Sequence, residues 1–163
     1  MYIYTPMTTQ EKEPLALSAI VFENLKELLK AKNAAHESVL KIHWKKMWPF
    51  NMIWPQVDFL RIIRMMDEIE KHAQEQKEFI LNSQNQATEK ETPFLKAVPD
   101  YLDALIVSSE ALAAIARFKQ DKLEKKEKRS VFKFNKILKA YEDAQDQLVR
   151  KGAFVQVHWM ELT

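Results

Sequence analysis

Cysteine is absent from the chain. Without a thiol the protein can form neither a disulfide nor a thiolate metal site, and catalysis by a cysteine nucleophile is excluded. A chain of 163 residues can bury enough apolar surface to fold as one domain without covalent cross-links. The composition is therefore compatible with a reducing compartment, and we expect a cytoplasmic protein.

Glycine is nearly absent as well, with one residue in 163, against a usual frequency of about 7%. Tight hairpins, phosphate-binding loops and dinucleotide fingerprints all need glycine at positions where a side chain would collide with the backbone or the ligand. The sequence thus disfavours strand-rich folds and nucleotide-binding α/β folds.

Long hydrophobic runs are also missing, since no apolar stretch approaches the 18 residues typical of a membrane-spanning helix. A secretion signal consists of a basic region followed by an apolar run, and the first residues of the chain do not show this pattern. Residues 1–12 are mostly polar, and we expect them to be loosely ordered. The sequence predicts no transmembrane segment.

Helical spacing is what the chain does have, because apolar residues recur three and four positions apart along most of it. We predict an all-α fold, an antiparallel bundle of four to five main helices forming one domain over residues 1–163. The first helix should begin near Pro14. Near Asn33 it could break or run straight on through Ala34 and Ala35, and we favour a break or bend. The longest amphipathic pattern covers residues 55–82, and we expect that helix to be central.

The second half of the chain adds further boundaries. Residues 82–92 lose the apolar period and predict a loop. Pro99 should begin or kink a long helix whose apolar pattern fades near Lys122. A last helix should start at Ser130 and end at Gly152, the residue type that most often follows a helix. Residues 153–163 alternate apolar and polar side chains and predict an extended C-terminal tail.

A segment rich in tryptophan and proline, residues 42–56, separates two helical patterns. Proline lacks a backbone donor and restricts the residue before it, so the chain should turn here. Its large aromatic side chains carry too much apolar surface to stay in water. We expect a packed corner that closes one end of the bundle, formed by Trp44, Trp48, Phe50 and Trp54. The alternative is that these rings, beside Lys45 and Lys46, form a docking surface for a partner or a membrane face.

Charge is distributed unevenly. Residues 117–139, here called the basic segment, contain ten basic and three acidic residues, whereas the remaining 140 residues carry a net charge of −5. Aromatic residues interleaved with the cations, such as Phe118 and Phe132, are typical of nucleic-acid binding, although glutamates interrupt the run. The candidate contacts to a nucleic acid are Lys122, Lys125, Lys126, Lys128, Arg129 and Lys133.

Three of the four histidines are weak candidates for a metal site in the bundle, namely His36, His43 and His72. If the chain folds back near residue 51, His72 lies about 9 Å beyond the level of His36, given a rise of 1.5 Å per residue. Three ligands would then not converge, and we predict no metal and no cofactor.

No pattern indicates catalysis. The serines occupy helical or capping contexts, without a nucleophile elbow or a triad. The acidic residues Asp67, Glu68 and Glu70 fall on the outer side of the predicted central helix, where carboxylates are normally solvated. The sequence supports no catalytic residue and no assignment as an enzyme.

Two functional classes remain open, and a metal-binding helical bundle is a weaker third alternative. The first is a non-catalytic interaction or regulatory protein that contacts another protein or a second copy of itself. Its partner-binding residues would be the four aromatic residues of the corner together with Phe154, Val157 and Trp159 of the tail, because a terminus with so many apolar side chains should be docked. The second is a nucleic-acid-binding protein that uses the basic segment.

Overall fold

Four long helices account for most of the computed structural model, which describes residues 16–40, 58–123 and 131–163. They are α1 (Leu17–Leu40), α2 (Phe59–Ser83), α3 (Thr92–Leu123) and α4 (Val131–Leu162), with a 3₁₀ turn at Gln84–Gln86 after α2. In these ranges the structure contains no strand. The prediction of an all-α fold is confirmed.

The helices alternate in direction around the bundle. Asn24 of α1 donates a hydrogen bond to Gln76 of α2 at 3.2 Å, and Lys77 pairs with Asp103 of α3. Since early residues of each helix meet late residues of the next, sequence neighbours are antiparallel. The ring stack of Phe22 on Trp159 relates α1 and α4 in the same way. The arrangement is an up-down-up-down four-helix bundle.

The core follows the apolar spacing that the sequence displays. On α2 the buried apolar side chains follow the helical spacing, with intervals of three, four or seven residues: Phe59, Ile62, Met66, Ile69, Ala73 and Ile80. The helix begins at its N-cap Asp58, whose carboxylate accepts a hydrogen bond from the backbone nitrogen of Arg61 at 3.0 Å. α3 lies between α2 and α4 and packs against both along its length.

The predicted break near Asn33 is wrong, because α1 is continuous from Leu17 to Leu40. Asn33 lies on the exposed side of the helix. An asparagine in a helix interior costs well under about 1 kcal/mol, whereas the buried residues Ala35 and Val39 continue the core face beyond it. Packing on both sides of Asn33 therefore outweighs its local preference.

Of the two alternatives predicted at Pro99, a helix that begins there is wrong, since Pro99 lies inside α3. The helix begins seven residues earlier, where Phe94, Leu95 and Val98 are already buried in the core. Proline in a helix removes one hydrogen bond and crowds the preceding turn, at about 3 kcal/mol. The burial of three large side chains ahead of it stabilises the helix by more than that cost, at roughly 1.5–3 kcal/mol each.

The predicted helix end at Gly152 and the extended tail over residues 153–163 are also wrong. α4 continues through Gly152 to Leu162. Leu148, Val155 and Trp159 lie three to four residues, or multiples of that spacing, apart and keep the same face of the helix against the bundle. Glycine in a helix interior costs about 1 kcal/mol relative to alanine, which is less than the burial of these side chains contributes.

Glu91 ties the first turns of α1 and α3 together. Its carboxylate accepts hydrogen bonds from the backbone nitrogen and hydroxyl of Ser18, at 3.1 and 3.0 Å. It also accepts from the backbone nitrogen of Thr88 at 3.0 Å, while the Glu91 nitrogen donates back to the Thr88 hydroxyl. This reciprocal pair is a capping box. One buried carboxylate thus serves two helix ends.

Several predictions fall outside the described residues. They are the Trp/Pro corner, the loosely ordered residues 1–12 and the cap at Ser130. Of the four helices described, none is both long and apolar enough to span a bilayer.

Candidate functional site

The predicted partner-binding residues of the tail divide between two faces of α4. Phe154 and Val157 point away from the bundle and are 65% and 54% exposed. Trp159 instead stacks on Phe22 of α1 with ring centroids 4.1 Å apart and planes 4° apart, and it also contacts Phe94. Trp159 is therefore part of the packing between helices. Trp44, Trp48, Phe50 and Trp54 lie outside the described residues.

The exposed side of the last third of α4 is apolar. Positions 149, 153, 157 and 160 are spaced by four, four and three residues, so they lie along one side of the helix, and position 154 is beside them. We call this surface the outer α4 face; its members are Val149, Ala153, Phe154, Val157 and Met160. It is opposite the face that carries Leu148 and Val155 into the core. The end of α4 is thus apolar on both sides.

Two opposite charges stand at the ends of this surface. Arg150, Phe154, Val157 and Glu161 follow one another at intervals of four, three and four residues, which places them in one row. Both charged residues are exposed, and the Glu161 carboxylate lies 3.3 Å from Nδ1 of His158. The row therefore runs from a cation through two apolar side chains to an anion.

The described part of the basic segment makes several contacts within the protein. Arg117 lies 3.9 Å from Asp67 of α2, and the Lys119 ammonium donates to the Val39 carbonyl at 2.6 Å. Lys139 pairs with Asp143 at 2.8 Å, and that hydrogen bond raises the pKa of Lys139. Two of these contacts pair cations of the segment with carboxylates, and they partly neutralise its charge.

The candidate nucleic-acid contacts lie mostly elsewhere. Lys125, Lys126, Lys128 and Arg129 are outside the described residues, and Lys122 is in the final turns of α3. Lys133 is exposed at the start of α4. Of the interleaved aromatic residues, Phe118 packs on Phe134 with ring centroids 5.3 Å apart. Phe132 is 81% exposed.

The histidines do not form a metal site in the part of the chain that the structure describes. His36 faces α4, where its Nδ1 lies 2.6 Å from the Tyr141 hydroxyl. His72 is exposed in a groove between α1 and α2, beside Glu27, Glu68 and Glu75. Among the described residues no three potential ligands come close enough to hold an ion. His43 lies outside them.

A buried polar network joins α1, α3 and α4, and it centres on Lys32. The side chain of Lys32 is 0% exposed. Its ammonium donates to the Tyr141 hydroxyl at 3.1 Å and to Oε1 of Gln145, and it lies 5.1 Å from the centre of the Tyr141 ring. The same Gln145 oxygen accepts a hydrogen bond from the hydroxyl of Ser108 at 2.8 Å. A buried cation is thus held by neutral groups.

Burial controls the protonation of this network. Desolvation disfavours the ammonium form and lowers the pKa of Lys32 from 10.5 to about 8. Burial also raises the pKa of Tyr141 above its ordinary range, although a hydrogen bond with Ser108 opposes that shift. Tyr141 therefore stays a hydroxyl that can accept from Lys32 and donate to His36.

Sequence reasoning missed Lys32, although the sequence contained a signal. Val21, Leu25, Leu28, Ala35 and Val39 are buried at alternating intervals of four and three, with one position of the series left over. Lys32 occupies that position, so its side chain must enter the core if the helix is continuous. Because a break was predicted near Asn33, the helical spacing was not extended to Lys32, and its burial was not predicted.

A cleft of about 360 Å³ lies between α1 and α4, next to the network. Leu25, Tyr101, Leu148 and Val155 are buried beneath it. Gly152 also lines it, and a Cβ added there would stand 3.3 Å from the Tyr101 ring. The remaining lining residues form its sides and rim: Phe22, Lys26, Leu29, Asn33, Gln145, Val149 and Gln156. We call this space the α1–α4 cleft.

Comparisons of the chain with protein-family models, with curated protein sequences and with solved structures returned no match. Function must therefore be inferred from the residues and their geometry.

Proposed function

We propose that this chain is a non-catalytic interaction protein of the cytoplasm, acting through protein–protein contacts, and that the outer α4 face binds a second copy of the chain. The observation that carries the proposal is the exposed apolar surface at the end of a helix whose opposite side is already packed.

The position of this surface supports an interface. Leu148 and Val155 are buried, so packing in the bundle explains why the inner side of α4 is apolar. Phe154, Val157 and Met160 on the outer side are exposed, and packing within the described bundle does not explain why they are apolar. Single exposed apolar residues are common on soluble proteins, but contiguous apolar patches mark interaction sites. The outer α4 face is of the second kind.

The flanking charges favour a second copy as the occupant. In a symmetric dimer every contact occurs twice: if one residue of the first protomer contacts a second residue of its partner, the same two residues also contact each other with the protomers exchanged. If two α4 helices pack antiparallel about a point between Phe154 and Val157, each Phe154 meets the partner's Val157. Arg150 then faces the partner's Glu161 at both ends, because the two positions are equally distant from that point. The row is self-complementary in this orientation.

The first test is the molar mass in solution, measured by light scattering during size-exclusion chromatography over a range of concentrations. We expect the wild type to show a dimer that dissociates on dilution. Val157→Glu should give a monomer because it places a charge in the apolar centre of the interface. Leu60→Glu is the matched control, since Leu60 on α2 is 52% exposed against 54% for Val157. A wild type that stays monomeric at the highest concentration contradicts the proposal.

A charge exchange tests the orientation. Arg150→Glu and Glu161→Arg should each weaken the dimer, because each places like charges opposite one another, while the double variant should restore it. Two single variants that weaken the dimer without rescue in the double variant would contradict the antiparallel pairing and leave only the location of the interface.

A second candidate function is nucleic-acid binding, favoured by the exposed ring of Phe132 beside the exposed side chain of Lys133. An aromatic ring next to cations can stack on an unpaired base while the cations contact phosphates. Anisotropy with a labelled single-stranded oligonucleotide should then show affinity that falls steeply with salt. Reversing Lys125, Lys126 and Lys128 to glutamate should abolish it, and no binding at about 50 mM salt would exclude this function.

A further inference from the structure

The α1–α4 cleft has the construction of a ligand site. Its volume of about 360 Å³ falls within the range of about 300–1,000 Å³ that ligand pockets occupy. The lining runs from Gln145 to Gln156, so at 1.5 Å per residue it extends for about 16 Å along α4. Most of this length is apolar and includes Leu29, Leu148 and Val155. The cleft therefore suits an elongated hydrocarbon group.

One end of the cleft is polar. Asn33 and Gln145 both line it there. Oε1 of Gln145 accepts from Lys32 and Ser108, so the amide nitrogen is the polar group of this cleft-lining side chain that the buried network does not use. An amide nitrogen has two donors and no acceptor. This end presents hydrogen-bond donors to whatever occupies it.

A buried cation lies behind the same end. Lys32 lies directly behind Gln145, and within the described residues no carboxylate lies within ion-pair distance of its ammonium. The groups that the structure places against it are Tyr141, Gln145 and, through Tyr141, His36. A buried charge without a counter-ion is costly, and it interacts with a nearby anion more strongly than a solvated charge does.

We propose that the α1–α4 cleft binds a single-chain amphipathic carboxylate. The carboxylate accepts hydrogen bonds from the side-chain amides of Gln145 and Asn33, in the field of Lys32. Its hydrocarbon chain lies over Leu25, Leu148 and Val155. The floor of the site is completed by the Tyr101 ring, which packs so closely on Gly152 that an added Cβ would stand 3.3 Å from it. The site shares Val149 at its rim with the outer α4 face, but its construction does not require self-association.

Decanoate is the probe for the test, titrated into the full-length protein by isothermal calorimetry at pH 7. We expect saturable binding of one decanoate per chain. Decyltrimethylammonium has the same chain length with the opposite charge, and we expect its affinity to be at least about tenfold lower because Lys32 repels it. Absence of saturable decanoate binding, or equal affinity for both compounds, overturns the proposal.

Two variants locate the charge that the carboxylate meets. Lys32→Met should reduce decanoate affinity about tenfold or more, since it removes the buried cation and keeps a chain of similar length. Lys26→Met is the matched control. Lys26 lies on the rim near the other end of the cleft and forms a solvent-exposed ion pair with Glu23 at 2.8 Å. Circular dichroism establishes that both variants are folded. Unchanged affinity in Lys32→Met, or loss of affinity in Lys26→Met, overturns the assigned orientation and with it the proposal.

The wild-type protein provides a measurement that requires no substitution. Raising the pH from 7 to 9.5 removes the proton from Lys32, whose pKa is about 8, while decanoate keeps its charge. We expect the affinity to fall about tenfold over this range in the wild type and to stay constant in Lys32→Met. A wild-type affinity that is independent of pH contradicts a role for Lys32.

Discussion

Replacement of Lys32 by methionine should stabilise the protein at neutral pH. The folded state holds this ammonium in a site with 0% exposure, whereas the unfolded chain leaves it in water. Its pKa is about 8 in the folded protein and 10.5 in the unfolded chain. At about 1.4 kcal/mol per pKa unit, keeping the proton costs the folded state roughly 3 kcal/mol.

The neighbours of Lys32 allow the substitution. Without Lys32, Tyr141 still bonds with His36, and Gln145 still accepts from Ser108. No buried polar group loses its last partner, and methionine fills a similar volume with apolar atoms. We therefore expect the free energy of unfolding of Lys32→Met at pH 7 to exceed that of the wild type by about 1–3 kcal/mol, after the lost hydrogen bonds are subtracted.

The pH dependence of wild-type stability is a second test of whether the buried Lys32 ammonium destabilises the folded state. A lowered folded pKa means that between pH 8 and 10.5 the unfolded chain binds more protons than the folded one, so the stability of the wild type rises with pH in that window. From pH 7 to 9.5 the gain is about 2 kcal/mol. Measurements above that range are unsuitable, because burial raises the pKa of Tyr101 to about 12 and ionisation of tyrosine in the unfolded chain then acts in the opposite direction.

Urea unfolding followed by far-UV circular dichroism at pH 7, 8, 9 and 9.5 measures both effects. Lys30→Met is the control, because Lys30 is an exposed lysine two residues away, and it should change stability by less than about 0.5 kcal/mol. The reasoning is refuted if Lys32→Met is less stable than the wild type at pH 7 and the wild type shows no rise toward pH 9.5.

Three further substitutions test other parts of the bundle by urea or thermal unfolding. Glu91→Gln should lower the free energy of unfolding by about 2 kcal/mol, because it weakens the charged hydrogen bonds that join two helix ends, whereas Glu89→Gln should have little effect. Burial raises the pKa of Glu91, but the hydrogen bonds from Thr88 and Ser18 outweigh this effect and lower the pKa overall. The stabilisation by Glu91 should therefore be complete above pH 4.5 and decline as the pH falls below that value. An equal loss of stability in Glu91→Gln at pH 7 and at acid pH would contradict this reasoning. Trp159→Ala should lower the free energy of unfolding by about 2–4 kcal/mol, and Phe154→Ala should lower it by less than about 0.5 kcal/mol. A larger effect of Phe154→Ala would show that the two faces of α4 are wrongly assigned. Asp58→Ala should cost about 1 kcal/mol, and a change near zero would mean that the cap at the start of α2 is not formed in solution.

The fold could be predicted from the sequence where packing and local preference agree. On α2 the apolar period, the capping carboxylate and the polar outer side all favour the same helix, and the buried residues are those expected. Scarcity of glycine and the helical spacing were sufficient to predict the all-α class.

Predictions failed where a single residue was given more weight than the packing around it. Asn33, Pro99 and Gly152 each disfavour a helix locally, and each lies inside one. The local cost is about 1–3 kcal/mol at most, whereas the helix on either side buries several apolar side chains. Such positions cannot be resolved from sequence alone, because the compensating contacts come from other helices.

The candidate site was predictable only in part. Phe154, Val157 and Trp159 were predicted together as partner-binding residues of an extended tail. The structure leaves Phe154 and Val157 exposed and packs Trp159 on the bundle, because a helix distributes these side chains differently from an extended strand. The partners of Lys32 on α4 lie more than 100 residues away in sequence, and no local pattern relates them.

The long sequence separation between α1 and α4 also determines how the bundle comes apart. α2, α3 and α4 are joined consecutively and pack on their neighbours in the chain, so their contacts form at a modest cost in loop entropy. The contacts of α1 with α4 join residues 105 and 109 positions apart, and closing such a loop comes late. We expect α1 to open as a unit before the other three helices, so its amide hydrogens should exchange with solvent faster than those of α3 under native conditions. Each such opening would expose Lys32 to water and dismantle the cleft between α1 and α4, while the rest of the bundle stays folded.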